Sequence, residues 1–442
     1  MNVSFSKTYN EQEYSVVCYI INNDLTLTSP ELNSDQGTIY PISTAGILYI
    51  MIENSMAEFV PKLVLEFRDE NSLLTNKIKS QNSKVKITIG KKTGSSQVAL
   101  DLNFIIKSFR ITEIFEKTIT YSIQGELDNS IQLNTLCEYA TVSSLETDNE
   151  TLENPYEILR NILTQAGYKL YPTEEKLENG DVIQSRHKMP YTNELCHYIT
   201  KPNTKVIDAA YYLLSYGVGE TGTIPPAYLI HNLKDNKAFI TSCENMWSAD
   251  YINKQPQITR MGFGISENVL NDRTLLLRNV SNNNYTGGVD FAKLFFNFKF
   301  YEFDQESRTW ENYDISKTIL DDTLTKGMNH STESSLYLKM NNEDFHLAKY
   351  YGYGPHNHPI MYDVMRQLEL YSSNLIVTID QGDLELDVGQ VISITDKGTE
   401  DSQIEQFFGN WLITKIQHSF KNQKYECHLV CSRRFFKTKK TI

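Results

Sequence analysis

The chain has 442 residues, a formal net charge of −13, 40% hydrophobic and 22% charged residues. Its length exceeds one ordinary core, and its composition is that of a folded globular protein, which excludes a disordered or low-complexity chain. The acidic balance excludes a protein whose main task is gripping nucleic acid, since that takes a positive face to displace counterions, but it is compatible with a channel through which nucleic acid slides without sticking.

The first ~125 residues read as strands. YSVVCYII (14–21), GILYIMI (46–52), KLVLEF (62–67), KVKITIG (84–90) and VALDLNFIIKSFRI (98–111) are rich in β-branched and aromatic residues. KTITYSIQGEL (117–127) alternates apolar with polar, as a half-buried strand does, and 90–95 suits a hairpin turn. A helix is predicted over 154–167, where Asn154 caps, Pro155 opens the first turn, Glu157 stands three residues after the cap and Gly167 ends it. A second helix follows in TKVIDAAYYLLSYG (204–217), then a hairpin turning at Lys234–Lys237. Between 247 and 350 the pattern weakens, with strands expected over 273–280 and 291–303. The last hundred residues predict a helix from Pro359, then strands in NLIVTI (374–379), DLELDVGQVISIT (383–395, turning at Gly389), NWLITKIQHSF (410–420) and YECHLVCSR (425–433).

Several motifs invite a chemical reading. Gly217, Gly219 and Gly222 match GxGxxG, but they follow a helix and run into Pro225-Pro226, the reverse of a dinucleotide site, so they read as helix end and loop. His356 and His358 sit in a Gly/Pro loop with His346 and Asp363 nearby; they are metal-ligand candidates, yet no HExxH accompanies them and a structural linker is the expected role. The carboxylates Asp380, Asp383, Glu385 and Asp387 depart from calcium-loop spacing and read as a solvated hairpin. Cys427 and His428 are strand neighbours that face opposite sides and cannot share an ion. The six cysteines form no CxxC, so free, buried thiols in a reducing compartment are expected. No apolar run approaches the ~18 residues of a membrane span, and the N-terminus shows no secretory pattern. The basic tail, with Arg433, Arg434, Lys437, Lys439 and Lys440, is either solvated or docks on an acidic partner or another copy.

The order of elements is more informative than any of these motifs. In the C-terminal unit, LELDVGQVISI is followed by NWLITKIQHSFKNQKYECHLVCSR, with Leu386, Gly389, Ile392, Trp411, His418 and Tyr425 at defined places. That unit resembles the baseplate hub proteins of phage tails, relatives of phage late control protein D and of the base of type VI secretion spikes. There a Leu–x–x–Gly–x–x–Val/Ile strand precedes a strand ending in His near a turn and a closing strand ending in a Ser-Arg-like step. A second match runs from about Ile105 to Ser242, through YSIQGELD, the capped helix, VIDAAYYLLSYG and AYLIHNLKDNKAFI.

The resemblance implies a mainly β fold with a few helices (α+β), built from two tail-tube-like β-barrel domains plus an inserted β-rich domain. The expected division is a first barrel over 1–125, completed by 204–255; a capped helix and the start of the second tube-like domain over 126–203; an inserted domain over 256–350; and the rest of the second barrel with the basic tail over 351–442. It also implies a homotrimer, non-enzymatic and without cofactor, that adapts a sixfold tail tube to a threefold spike in the virion baseplate after assembly in the host cytoplasm. The implied partners are the tail tube protein, a central spike or tail lysozyme protein and other baseplate proteins, with DNA passing through the lumen unbound. Gly389, Trp411, His418, Tyr425, Arg433 and Arg434 are the structural or interface candidates. The competing readings are a metal-dependent hydrolase using His356 and His358, and a glycan- or receptor-binding tail protein.

Overall fold

The computed structural model describes residues 7–9, 14–22, 38–72, 74, 78, 83–93, 96–140, 153–172, 174–176, 182–184, 189–190, 198–215, 227–246, 257–260, 274–281, 299–304, 309–314, 335–337, 370, 374–379, 382–396 and 409–432. The N-terminal strands are β1 (Lys7–Tyr9), β2 (Tyr14–Asn22), β3 (Thr38–Pro41), β4 (Ile47–Ser55), β5 (Lys62–Asp69), β6 (Ser83–Thr93), β7 (Ser96–Phe115) and β8 (Thr118–Leu127). A middle segment carries α1 (Ser130–Asn134), α2 (Pro155–Gln165), β9 (Glu174–Lys176), β10 (Val182–Gln184), α3 (Val206–Leu214), β11 (Ala227–Asn232), β12 (Lys237–Ser242) and α4 (Cys243–Met246). After it come β13 (Gln257–Arg260), β14 (Thr274–Ser281), β15 (Lys299–Asp304), β16 (Thr309–Asp314), β17 (Ser335–Tyr337), β18 (Asn374–Ile379), β19 (Val391–Asp396), β20 (Gly409–Lys421) and β21 (Lys424–Ser432). The architecture is mainly β with a few helices, the expected class.

One 14-stranded sheet joins the two ends of the chain, in the order β1-β2-β6-β7-β8-β5-β4-β20-β19-β13-β14-β18-β21, with β3 beside β2. β20 is its junction. Gly409–Leu412 pairs with β19, Lys415–Lys421 pairs with β4, and the opposite edge pairs with β21. The β20–β21 pairing closes β20, β19, β13, β14, β18 and β21 into a ring of hydrogen-bonded strands. β13 lies parallel to both β14 and β19. Residues 257–281, placed by sequence in the inserted segment, therefore supply two strands of this ring, while β15, β16 and β17 form a small sheet of their own. The helix expected from Pro359 and the first part of the strand expected over 291–303 lie outside the described residues.

Strict alternation explains why these segments are strands. β2 buries every second residue from Tyr14 to Asn22, and the β20–β21 hairpin alternates from Ile416, turning Ile416, His418, Phe420, Tyr425, Cys427, Leu429 and Cys431 inward, while Trp411 to Thr414 are all buried. Each fully buried aliphatic or aromatic side chain here contributes roughly 1.5–3 kcal/mol. The two strands meet in a two-residue turn, Asn422-Gln423, with φ of 50° and 61°, the positive-φ pair that matches strand twist in tight hairpins.

The middle segment forms a second layer. Asn154 caps α2 by accepting from the Tyr156 N–H (2.9 Å), and Gly167 ends it at φ 80°. Ile158, Leu159, Ile162 and Leu163 pack on α3 residues Val206, Ala210 and Leu213. The β11–β12 hairpin lies between this helical cluster and the main core. Tyr228, Ile230 and Phe239 face the sheet, while Ala227, Leu229, Ala238 and Ile240 face the helices. Burial on both faces is why AYLI reads as an unbroken apolar run instead of an alternation.

Candidate functional site

Where the three parts of the chain meet, a buried carboxylate ties them together. Asp387 stands in the turn before β19, 4% exposed. Its Oδ2 accepts the Leu233 N–H (2.6 Å), at the end of β11; its Oδ1 accepts the Asn54 side-chain amide of β4 (2.6 Å) and the Val388 N–H (2.8 Å). Asn54 also donates to the His231 carbonyl (2.6 Å). The His231 ring continues the network: Nε2 lies 3.1 Å from Asn236 Oδ1, so Nε2 carries the proton and Nδ1 accepts from Asn129 Nδ2 at 2.9 Å. Asn129 donates as well to the Tyr168 hydroxyl (2.8 Å). Burial pushes the Asp387 carboxyl up to about 7 against the pull of its three N–H donors, and burial pushes His231 down to about 4. Gly389 completes the turn with φ 80°; a Cβ there would come within 3.0 Å of Ile230 Cδ1 and 3.3 Å of Met246 Sδ, which is how the turn seats on the hairpin.

A second buried cluster sits inside the β20–β21 hairpin. His418 Nδ1 lies 2.8 Å from the Tyr425 hydroxyl and 3.4 Å from Cys427 Sγ, and the hydroxyl is 3.3 Å from the sulfur. The Asp383 N–H donates to the same sulfur (3.4 Å). Tyr425 stacks on Phe420 (4.3 Å between centroids) and meets Tyr14 edge-on at 4.7 Å, while the Tyr14 hydroxyl donates to the Gly382 carbonyl (2.8 Å). A pre-formed thiolate–imidazolium pair is the most reactive state of a Cys–His dyad. Burial opposes both charges here, pushing the Cys427 thiol up to about 12 and His418 down to about 4. The cluster is a neutral, hydrogen-bonded plug that fastens β2 and the 382–383 turn to the hairpin.

Trp411, His418 and Tyr425 are thus core residues of the chain, and Gly389 is a turn-to-hairpin contact. His356, His358, Arg433, Arg434 and the Gly217–Gly222 motif lie outside the described residues. Among the described residues no group of three or more His, Cys, Asp or Glu side chains is placed to hold a metal ion. The carboxylate turn needs correction: Glu385 is exposed, but Asp387 is not a solvated residue. Sequence reasoning also missed Asn54 and His231. The available signal was a polar residue at an inward position of an apolar strand, in ILYIMIEN and AYLIH.

No protein-family model matches the chain, and no curated protein matches it. Solved structures do. The 43 kDa tail protein of prophage MuSo2 from Shewanella oneidensis superposes with a TM-score of 0.51 at 11% identity, over 95% of this chain and 99% of that one. The chain has the fold of a phage tail protein. A tail protein from Neisseria meningitidis MC58 superposes at 0.49 with 9% identity, over 95% of this chain and 96% of that one. The Escherichia coli c3393 protein, described as a type VI secretion component with structural similarity to T4 tail proteins gp27 and gp5, reaches 0.40 at 9% identity over 88% and 75%.

Proposed function

We propose that this protein is the structural hub of a tail baseplate: a ring of three copies that adapts a sixfold tail tube to a threefold central spike and leaves a channel for DNA. The observation that carries this reading is the shared fold with the MuSo2 tail protein over nearly the whole of both chains. The sheet supports it arithmetically. Each chain offers two strand-rich units joined at β4–β20, so three chains present six units around an axis, the number a sixfold tube requires. A net charge of −13 suits a lumen that does not retain phosphates. The two buried clusters fasten β2, β4 and β11 to the C-terminal strands, the kind of internal bracing a structural, non-enzymatic ring component needs. The tail tube protein and a central spike or tail lysozyme protein are the partners of such a ring. Gold-labelled antibody against the chain should mark the tail tip distal to the head in intact virions. Label along the shaft, or absent from purified tails, would contradict the proposal.

A further inference from the structure

Asn129 stands at the N-terminal end of α1, yet its side chain makes no cap hydrogen bond there. Its amide nitrogen instead donates twice, to the Tyr168 hydroxyl (2.8 Å) and to His231 Nδ1 (2.9 Å). Its amide oxygen is buried and has no hydrogen-bond partner among the described residues. An orphaned acceptor beside a titratable ring calls for an explanation, because such groups are costly inside a protein. Tyr168 carries the network further by donating to the Phe59 carbonyl at 3.5 Å. Phe59, in the connection from β4 to β5, packs on Tyr211 of α3 with 4.5 Å between ring centroids.

A proton on His231 reverses this arrangement. Nε2 already carries one for Asn236, so a second proton goes to Nδ1 and turns it from acceptor to donor, facing an N–H. A half-turn of the Asn129 amide answers it. Oδ1 then accepts from Nδ1–H and from the Tyr168 hydroxyl, and Nδ2 takes the place that has no partner. The amide makes two hydrogen bonds in either arrangement, and the two differ by one proton, which makes the pair bistable. In the second, the Tyr168 proton has left the Phe59 carbonyl. Around the ring stand Asp128 before α1, Tyr168 and exposed Lys169 after α2, Asp387 beyond Asn54, and exposed Lys234, Asp235 and Lys237 on its own hairpin turn. Burial raises both Asp128 and Asp387, so neither keeps a full negative charge for the imidazolium as pH falls, and the acceptor has to come from Asn129. We infer that Asn129 and His231 form an acid-operated latch: protonation of the ring turns the Asn129 amide and releases the Tyr168–Phe59 link between the helical layer and the β4–β5 connection. This goes beyond the ring reading and does not rest on it.

The test is hydrogen exchange read by mass spectrometry on the full chain, corrected for the intrinsic pH dependence of exchange, for the unaltered protein, Asn129→Asp and His231→Gln. In the unaltered protein, peptides spanning 56–61 and 163–171 should lose protection together in acid, around the value of about 4 to which burial lowers His231, while β20 and β21 stay protected. Asn129→Asp sets a carboxylate against Nδ1 and should move that loss upward by about one pH unit or more. His231→Gln, which has no proton to gain, should remove it. An unaltered protein whose protection is flat with pH or falls evenly over the whole chain, a midpoint unmoved in Asn129→Asp, or the same loss in a folded His231→Gln would overturn the inference. Should His231→Gln fail to fold, the direction of the Asn129→Asp shift decides alone.

Discussion

Asp387 accepts from three donors that belong to different parts of the chain, so removing its second acceptor oxygen should be felt throughout. Asp387→Asn leaves a buried N–H facing an amide group and should cost about 2 kcal/mol, read from urea unfolding midpoints. The pH dependence has a definite sign. With a folded value near 7, above the ordinary 3.8, the contribution from Asp387 is full below about pH 4 and is lost as pH rises through 7. The stability gap between the native protein and Asp387→Asn should therefore be wider at pH 5 than at pH 8; a gap that widens at pH 8 would mean that the hydrogen bonds outweigh burial. His231 and His418 act in the opposite sense, contributing above their ordinary 6.5 and losing that contribution as pH falls toward 4. Cys18, Cys427 and Cys431 are buried with thiols held protonated, so alkylation at pH 8 followed by peptide mapping should find all three unmodified until the protein unfolds.

At the scale of elements, the β20–β21 turn can be improved. Gln423 holds φ 61° and is exposed. Gln423→Gly should stabilise the hairpin by about 0.5–1 kcal/mol, visible as a raised melting temperature, unless loss of backbone restriction in the unfolded chain cancels it. The strands of the two ends were legible because alternation and β-branched content are local signals, and α2 was legible because Asn154, Pro155 and Gly167 mark its ends. Pairing was not legible. A period of two gives the buried face of β4 and β20, but nothing in ILYIMIENS or NWLITKIQHSF names the other as its neighbour. The short β13, set parallel between β14 and β19, has no periodicity long enough to announce it. Asp387 looked solvated because its burial is supplied by β11 and β4, segments distant in sequence.

Among the described residues, one 14-stranded sheet runs through β20 and is backed by a helical layer, with buried polar clusters where its parts meet. β20 joins its two strand-rich units, pairing with β4 on the N-terminal side and with β19 and β21 on the C-terminal side. The resemblance in the C-terminal skeleton pointed to the fold because Leu386, Gly389, Trp411, His418 and Tyr425 are the residues that seat the last hairpin. Residues that act only between copies left no comparable trace, since an apolar position reads alike in a core and in a contact. The central claim is a ring with a lumen, and electron microscopy of the purified chain in negative stain tests it most directly. End-on class averages should show a threefold ring around a hole wide enough for a DNA duplex; solid end-on views, or a ring of any other symmetry, would contradict it.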